Sequence, residues 1–317
     1  MVDESIEDKL LQNLDKKESS NEAPLGKIDN ITNEIPEMNI GYLDYDPSNL
    51  YTKGMYNEAD LRIEFRAATL EEVKHFSTIN EEDPMDASEK VRQILNKCYN
   101  VYENGKKISV DTLKEPDKIF LLFNLRDVTM AKHQRANKLL QSVVCNKCGH
   151  ENQKEIDHNA FSFYEIEDKF MKYYDENERC FIVPIPESGK SVKAYMPSIG
   201  VVYKTQKFIY DSELKKQKGQ NVFYDPNFLI FYQFMTKNHH NITDKNIEVE
   251  YGRFKSWDYD FHMVFDKLTH GINLGVKPTL SFPCENTNCK ELIQTPLRFQ
   301  GGIRSIFNLK SAADRLF

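Results

Sequence analysis

The sequence predicts an α+β protein, mostly helical, with short antiparallel hairpins and a split, zinc-ribbon-like site of four cysteines. Three observations carry this. Apolar residues recur at helical spacing, as in Val91, Ile94, Leu95 and Cys98, or Phe261, Val264, Phe265 and Leu268. Between such stretches, apolar and charged residues alternate over short runs such as 60–66, the period of a half-buried strand. Runs of that kind frame two cysteine pairs, Cys145/Cys148 and Cys284/Cys289. Four thiolates are the set that tetrahedral Zn²⁺ takes.

Length and charge bound the rest. The 317 residues, 40% apolar with 20 Phe and 16 Tyr, suffice for one large domain or two small ones. A net charge of -7 argues against a broad phosphate-binding surface, because affinity for nucleic acid comes mainly from neutralising phosphates. No run reaches the ~18–20 apolar residues of a membrane span. The acidic start has neither the basic nor the apolar block of a signal peptide. The expectation is a soluble protein made in a reducing cytoplasm, where six cysteines mean metal or free thiols rather than disulfides. Cys98 and Cys180 stand alone, where a small buried hydrophobe fits.

The organisation expected is a disordered acidic tail over 1–38, an α+β half over 39–160 ending in the first cysteine loop, and a second over 161–317 ending in the other. Nine acids against four lysines in 1–35 leave too little apolar surface to offset chain entropy. Ile6, Leu10, Leu11 and Leu14 could still form a short amphipathic helix at 4–16.

In the first half, 60–66 reads as a strand, and Thr69 and Glu72 have the spacing of a capping box opening a helix to about Ser77. Asp86 or Ser88 caps a second helix whose apolar face runs to Val101. Asn104-Gly105 turns into a strand at 107–110. Pro116-Asp117 opens a third helix to about Met130. Strands at 139–144 and 151–158 enclose the first cysteine loop.

In the second half, 163–174 reads as a helix, and 181–186 with 192–197 as a hairpin. Ser198 starts a helix through Val202 toward Ile209. Lys215, Lys216 and Lys218 sit in an exposed loop. Asp225-Pro226 caps an aromatic helix at 228–235, with Phe228, Phe231, Tyr232 and Phe234 read as core. Ser256 or Asp258 begins the last helix, with Gly271 as its stop. Strands through Leu280 and Phe282, and through Leu292, Thr295 and Leu297, flank the second loop. Each half runs strand, helices, strand, cysteine loop, strand, a loose duplication.

Cys-x-x-Cys followed by Gly149 is a zinc-knuckle pattern, since glycine takes the positive φ that turns amides toward a thiolate. The reading is one structural zinc shared by Cys145, Cys148, Cys284 and Cys289. Two disulfides, a redox pair, or separate sites completed by His150 or His158 are the alternatives. A site of four cysteines has no open position for water, so it supports folding and not catalysis. His239-His240 reads as a solvated helix end and His262 as a core or surface histidine. Glu64, Glu71, Glu72, Asp258 and Asp260 give no pair that sequence can place in one cleft, so acid–base catalysis has no support. The segment 296–307 mixes basic and apolar residues, as a docking tail or as a piece packed back on the domain.

The chain resembles the baseplate hub and hub-assembly proteins of contractile-tailed bacteriophages, the T4-type baseplate family. The resemblance rests on 61–72, where arginine, threonine and glutamate follow in turn, on 121–129, on the first cysteine loop, on the helix 258–271 and on the closing run 295–299. It spans roughly 40–307. The chain departs from the family in an insertion-like region at 181–255 and in the wide spacing of the second cysteine pair. The resemblance implies a structural or assembly component of a tail baseplate that is not an enzyme, with other phage tail and baseplate proteins as partners. It implies residence in the host cytoplasm during assembly and then in the virion, without nucleic acid or membrane as partner. The alternative is a zinc-ribbon nucleic-acid-binding or transcription-associated protein, which the acidic balance disfavours.

Overall fold

The structure, a computed structural model, describes residues 41–131, 139–156, 160–185, 188–220, 224–237, 242–277, 279–299 and 302–307. The tail at 1–38 with its helix at 4–16, and His158, His239 and His240, lie outside them. Among the described residues helix makes up 43% and strand 22%. The chain is thus α+β, with a more even mixture than the mostly helical one expected.

The first half opens on one antiparallel sheet in the order β1 (Leu43–Tyr45), β2 (Arg62–Phe65), β3 (Tyr99–Glu103), β4 (Lys106–Ile108). The alternation in β2 puts Ile63 and Phe65 in the core and leaves Arg62 and Glu64 outside. Helix α1 (Leu70–Ser77) starts on the expected capping box, Thr69 and Glu72 each accepting the other's backbone N–H. Helix α2 (Pro84–Cys98) is capped by Asp83, one turn before the expected Asp86 or Ser88. Proline suits the first helical position because its missing N–H would be unsatisfied there anyway. The helix passes directly into β3 at Tyr99, so Val101 lies in the sheet and not on the helix face. Helix α3 (Lys118–Thr129) follows Asp117.

Asp117 is fully buried and accepts both the N–H of Thr52 at 2.8 Å and its hydroxyl at 2.7 Å. Burial nevertheless dominates and pushes its pKa up to about 6 from 3.8. The folded protein therefore holds this proton where the unfolded chain has lost it. Stability falls as pH rises from about 4 to about 6, and the cost stays above that, about 3 kcal/mol in all. In Asp117→Asn this slope is expected to vanish. Urea denaturation at pH 4 and pH 7 should show the variant gaining on the wild type by about that amount, and equal changes in both would refute the assignment.

Next come the hairpin β5 (Leu140–Val144) and β6 (Glu151–Glu155). The expected helix at 163–174 is absent. That stretch holds β7 (Phe163–Tyr164), one helical turn (Asp168–Met171) and β8 (Tyr174–Asp175). Its two ends belong to different cores: Phe163 stacks on Tyr51 at 4.2 Å, while Tyr174 packs edge-on to Tyr56 at 5.4 Å. No single helical face could serve both. Strands β9 (Cys180–Pro184) and β10 (Ser191–Tyr195) form the expected hairpin and extend β8 into a three-stranded sheet.

Helix α4 (Ile199–Gln217) begins at Ser198 as expected and runs two turns further than read, through Lys215 and Lys216. Its Gly200 lies against Asp111, where a Cβ would come 2.8 Å from that residue's Cβ. Asp111 in turn takes both nitrogens of the Arg92 fork at 2.7 and 2.8 Å, which locks α2 beside α4. Helix α5 (Pro226–Met235) is followed by α6 (Asp244–Phe254), which the sequence reading missed. Its capping box pairs Thr243 with Asn246 in place of the usual Glu or Gln. Helix α7 (Tyr259–Gly271) is capped by Asp258. Gly271 is not a left-handed stop; a side chain there would overlap the ring of Phe170, so glycine makes room for it. Strand β11 (Gly275–Val276) pairs with β7, and the hairpin β12 (Thr279–Pro283) and β13 (Leu292–Pro296) closes the series.

One core gathers Ile63, Phe76, Leu95 and Phe123 from the first half together with Leu280, Phe282, Ile293, Ile306 and Phe307. The hairpin that ends the second half thus packs on the first-half helices, which sets the two cysteine loops side by side. The segment 302–307 packs back on the domain: Phe307 meets Phe76 edge-on at 5.0 Å, and Arg126 Nε donates to the Ile306 carbonyl at 3.0 Å.

Candidate metal centre

Each cysteine loop is the tip of a hairpin. In the first, the Cys145 N–H donates to the His150 carbonyl at 2.8 Å, and the Gly149 N–H donates to the Cys145 carbonyl at 2.9 Å. Gly149 has the positive φ, 72°, that the knuckle requires. In the second, the Cys284 N–H donates to the Glu291 carbonyl at 2.8 Å and the Cys289 N–H to the Asn286 carbonyl at 2.9 Å. The extra length between the second pair of cysteines is taken up by Asn286, whose side chain accepts the Asn288 N–H at 3.0 Å in an Asx turn.

Lys290 occupies the place that Gly149 holds in the first loop, and it too has positive φ, 51°. A non-glycine residue there is strained by about 1–2 kcal/mol. Lys290→Gly is expected to raise stability by up to about 1 kcal/mol, the relief being partly offset by the freer unfolded chain. A lowered thermal midpoint would mean that the Lys290 side chain matters more than its backbone.

The two loops meet. All four sulfurs lie within 4.8 Å of one another. Across the loops, Cys145 Sγ is 3.9 Å from Cys289 Sγ and Cys148 Sγ is 3.7 Å from Cys284 Sγ. Four sulfurs each about 2.3 Å from a central ion sit about 3.8 Å apart. A disulfide would need about 2.05 Å. The donor set therefore fits one tetrahedral thiolate-bound ion, with all six cysteines as free thiols. His150 contributes its carbonyl to the turn and lies outside the cluster.

Cys145 and Cys284 are buried, Cys289 is partly so and Cys148 is exposed. The backbone N–H groups of Cys148 and Lys147 hold the Cys145 thiol down to about 7, whereas burial pushes Cys284 up to about 11. One thiolate is thus prepared by the loop, whereas Cys284 and Cys289 are pushed up by burial and by the neighbouring cysteines. A central cation opposes that shift.

Two buried amides that the sequence reading passed over stitch the hairpins together. Asn152, fully buried on β6, donates to the carbonyls of His150 at 3.0 Å and Val143 at 3.2 Å. Its oxygen accepts the N–H of Glu285, the residue after Cys284, at 2.7 Å. Gln141 on β5 donates to the Pro296 carbonyl at 2.8 Å and accepts the Arg298 N–H at 3.0 Å. No local signal marks Asn152, since β6 reads Glu-Asn-Gln-Lys-Glu without apolar alternation. At the surface, Lys147 pairs with Glu291 at 2.9 Å.

The weaker candidates fall elsewhere. The His262 ring packs against Phe231 and Phe254 at 5.4 and 5.7 Å, as a core-edge histidine. Phe228, Phe231, Tyr232 and Phe234 are buried, as expected. Cys98 and Cys180 are fully buried, and burial pushes Cys98 up to about 12, away from reactivity. The carboxylates do not converge: Glu72 is held by Arg66 at 2.7 Å, Glu64 faces Arg62 and Tyr102, and Asp258 caps α7.

A family model described as T4 bacteriophage base plate protein matches residues 49–250, more than half of the chain. The match takes in the first cysteine pair and most of the region read as insertion-like, and it ends before the second pair. No curated protein and no solved structure matches the chain.

Proposed function

The chain belongs to the T4 bacteriophage base plate protein family, and from that premise we propose that it builds or helps assemble the hub region of a phage tail baseplate. On this reading it is a non-enzymatic part, stapled by zinc, that works through contacts with other tail proteins. It resides in the host cytoplasm during assembly and then in the virion. The observation that carries the staple is the 3.7–3.9 Å spacing of sulfurs drawn from two hairpins far apart in sequence. Cys145, Cys148, Cys284 and Cys289 would hold Zn²⁺ in a closed site, where it adds folding energy and leaves no position for a reacting water.

The proposed organisation keeps 1–38 as an acidic tail, with 39–160 and 161–317 as two halves joined at the clasp. Among the described residues no helix is long and apolar enough to cross a membrane. The test is to purify tails from the phage that encodes the chain and identify their proteins by mass spectrometry. The hub reading expects the chain in the tail or in its assembly intermediates. Absence from both, with salt-dependent binding to DNA or RNA instead, would favour the zinc-ribbon nucleic-acid alternative.

A further inference from the structure

Beside the clasp runs a groove of about 520 Å³, lined on one side by the end of β5 (Val143 and Val144) and the start of the cysteine loop (145–147), and on the other by Glu291 and the β13 residues 292–295. Among the described residues β5 and β13 each belong to a two-stranded sheet, so each has one unpaired edge there. Antiparallel pairing decides which groups point outward. Cys145 bonds to His150 and Cys284 to Glu291 within their own hairpins. By alternation, the N–H and C=O groups of Ser142 and Val144, and of Leu292 and Gln294, lie on the open edges.

Side-chain bridges hold the two strands alongside each other, Gln141 to Pro296 at one end and Lys147 to Glu291 at the other. Val144 and Leu292, both 59% exposed, line the groove between these bridges. Unpaired main-chain edges beside exposed aliphatic side chains form a template for another strand.

We propose that this groove takes an extended segment of a neighbouring tail protein as an added β-strand. The segment is one whose alternate residues are aliphatic, to sit beside Val144 and Leu292. The size of the groove selects that occupant. The four β13 residues of the wall span about 13 Å, and one strand width is about 5 Å. A second copy of this chain docked here alone would fall far below the ~1,000 Å² of a stable interface. A single strand fills the groove and completes its hydrogen bonds. The identity of the partner rests on the baseplate reading; the strand-binding edge does not.

The test therefore has two arms. In the first, the full-length protein is titrated with capped heptapeptides of alternating valine and threonine, and with the same peptides carrying a central proline. Saturable binding near or below about 1 mM is expected for the former alone. Gln294→Pro and Ser142→Pro remove outward N–H groups without touching the hairpin ladders. Each should weaken peptide binding at least about tenfold while the thermal midpoint holds. No saturable binding, or binding indifferent to both variants in folded protein, would overturn the proposal, as would dimerisation of the chain through this edge.

In the second arm, hydrogen exchange at Val144 and Gln294 is compared between the isolated protein and purified tails. Slowing of at least about tenfold in tails supports a strand partner there. Peptide binding together with unprotected edges in tails would overturn the tail-protein partner. Absence of the chain from tails would instead refute the baseplate reading and leave the first arm to decide the groove.

Discussion

Replacing Cys145 or Cys289 by serine is expected to lower stability by at least about 3 kcal/mol and to abolish stoichiometric metal. Zinc bound to a four-thiolate site contributes on the order of 10 kcal/mol to a fold that forms around it, so losing one ligand removes a substantial part of that. The effect should be global, because the site joins hairpins that share the main core with α1 to α3. Elemental analysis of protein purified without chelator should give about one zinc per chain, and the serine variants should fall well below that. Cys180→Ala is the control: the residue is fully buried in the second half, so it should cost packing but leave metal content intact. Melting unchanged in both serine variants, or a wild type free of metal, would end the staple hypothesis.

That the cysteines were legible in sequence follows from chemistry. Few residue types bind zinc with close spacing, and each pair is flanked by alternating strands. Helices with one apolar face and an ordinary cap were legible for the same reason, as at Thr69, Ser198 and Asp258. The misreadings have physical causes of another kind. Helix α6 was hidden because its capping box uses Asn246 and because only Ile247 and Tyr251 form its buried stripe, with Val249 on the exposed side. The 163–174 stretch misled because helical spacing of aromatics says nothing about two cores pulling in different directions. Gly271 was read as a stop from its position, while its actual role depends on Phe170, about 100 residues away. The wall of the groove and the amides that stitch the clasp depend on contacts across more than 130 residues, which no local pattern encodes.

Asn152 carries the second large expectation. Its side chain is a buried hydrogen-bonded link between the knuckles: it holds the first loop's carbonyls and the amide next to Cys284 at once. Asn152→Ala leaves that partly buried amide without its acceptor and frees two carbonyls of their donor, at about 1–3 kcal/mol. The four sulfurs would remain, so zinc should still bind, but less tightly, because the loops are no longer pre-positioned. Asn152→Asp separates the two contributions. It keeps an oxygen for the Glu285 N–H, loses both donors, and adds a negative charge beside thiolates that already oppose one another's ionisation. Competition against a chromophoric chelator should therefore rank affinity as wild type, then alanine, then aspartate, while melting of the metal-free proteins need not follow that order. If aspartate binds zinc as well as the wild type, the site is insensitive to charge and is not a thiolate centre. If alanine matches the wild type in both melting and affinity, the hairpins are aligned by the core alone, and Asn152 is only a well-satisfied bystander.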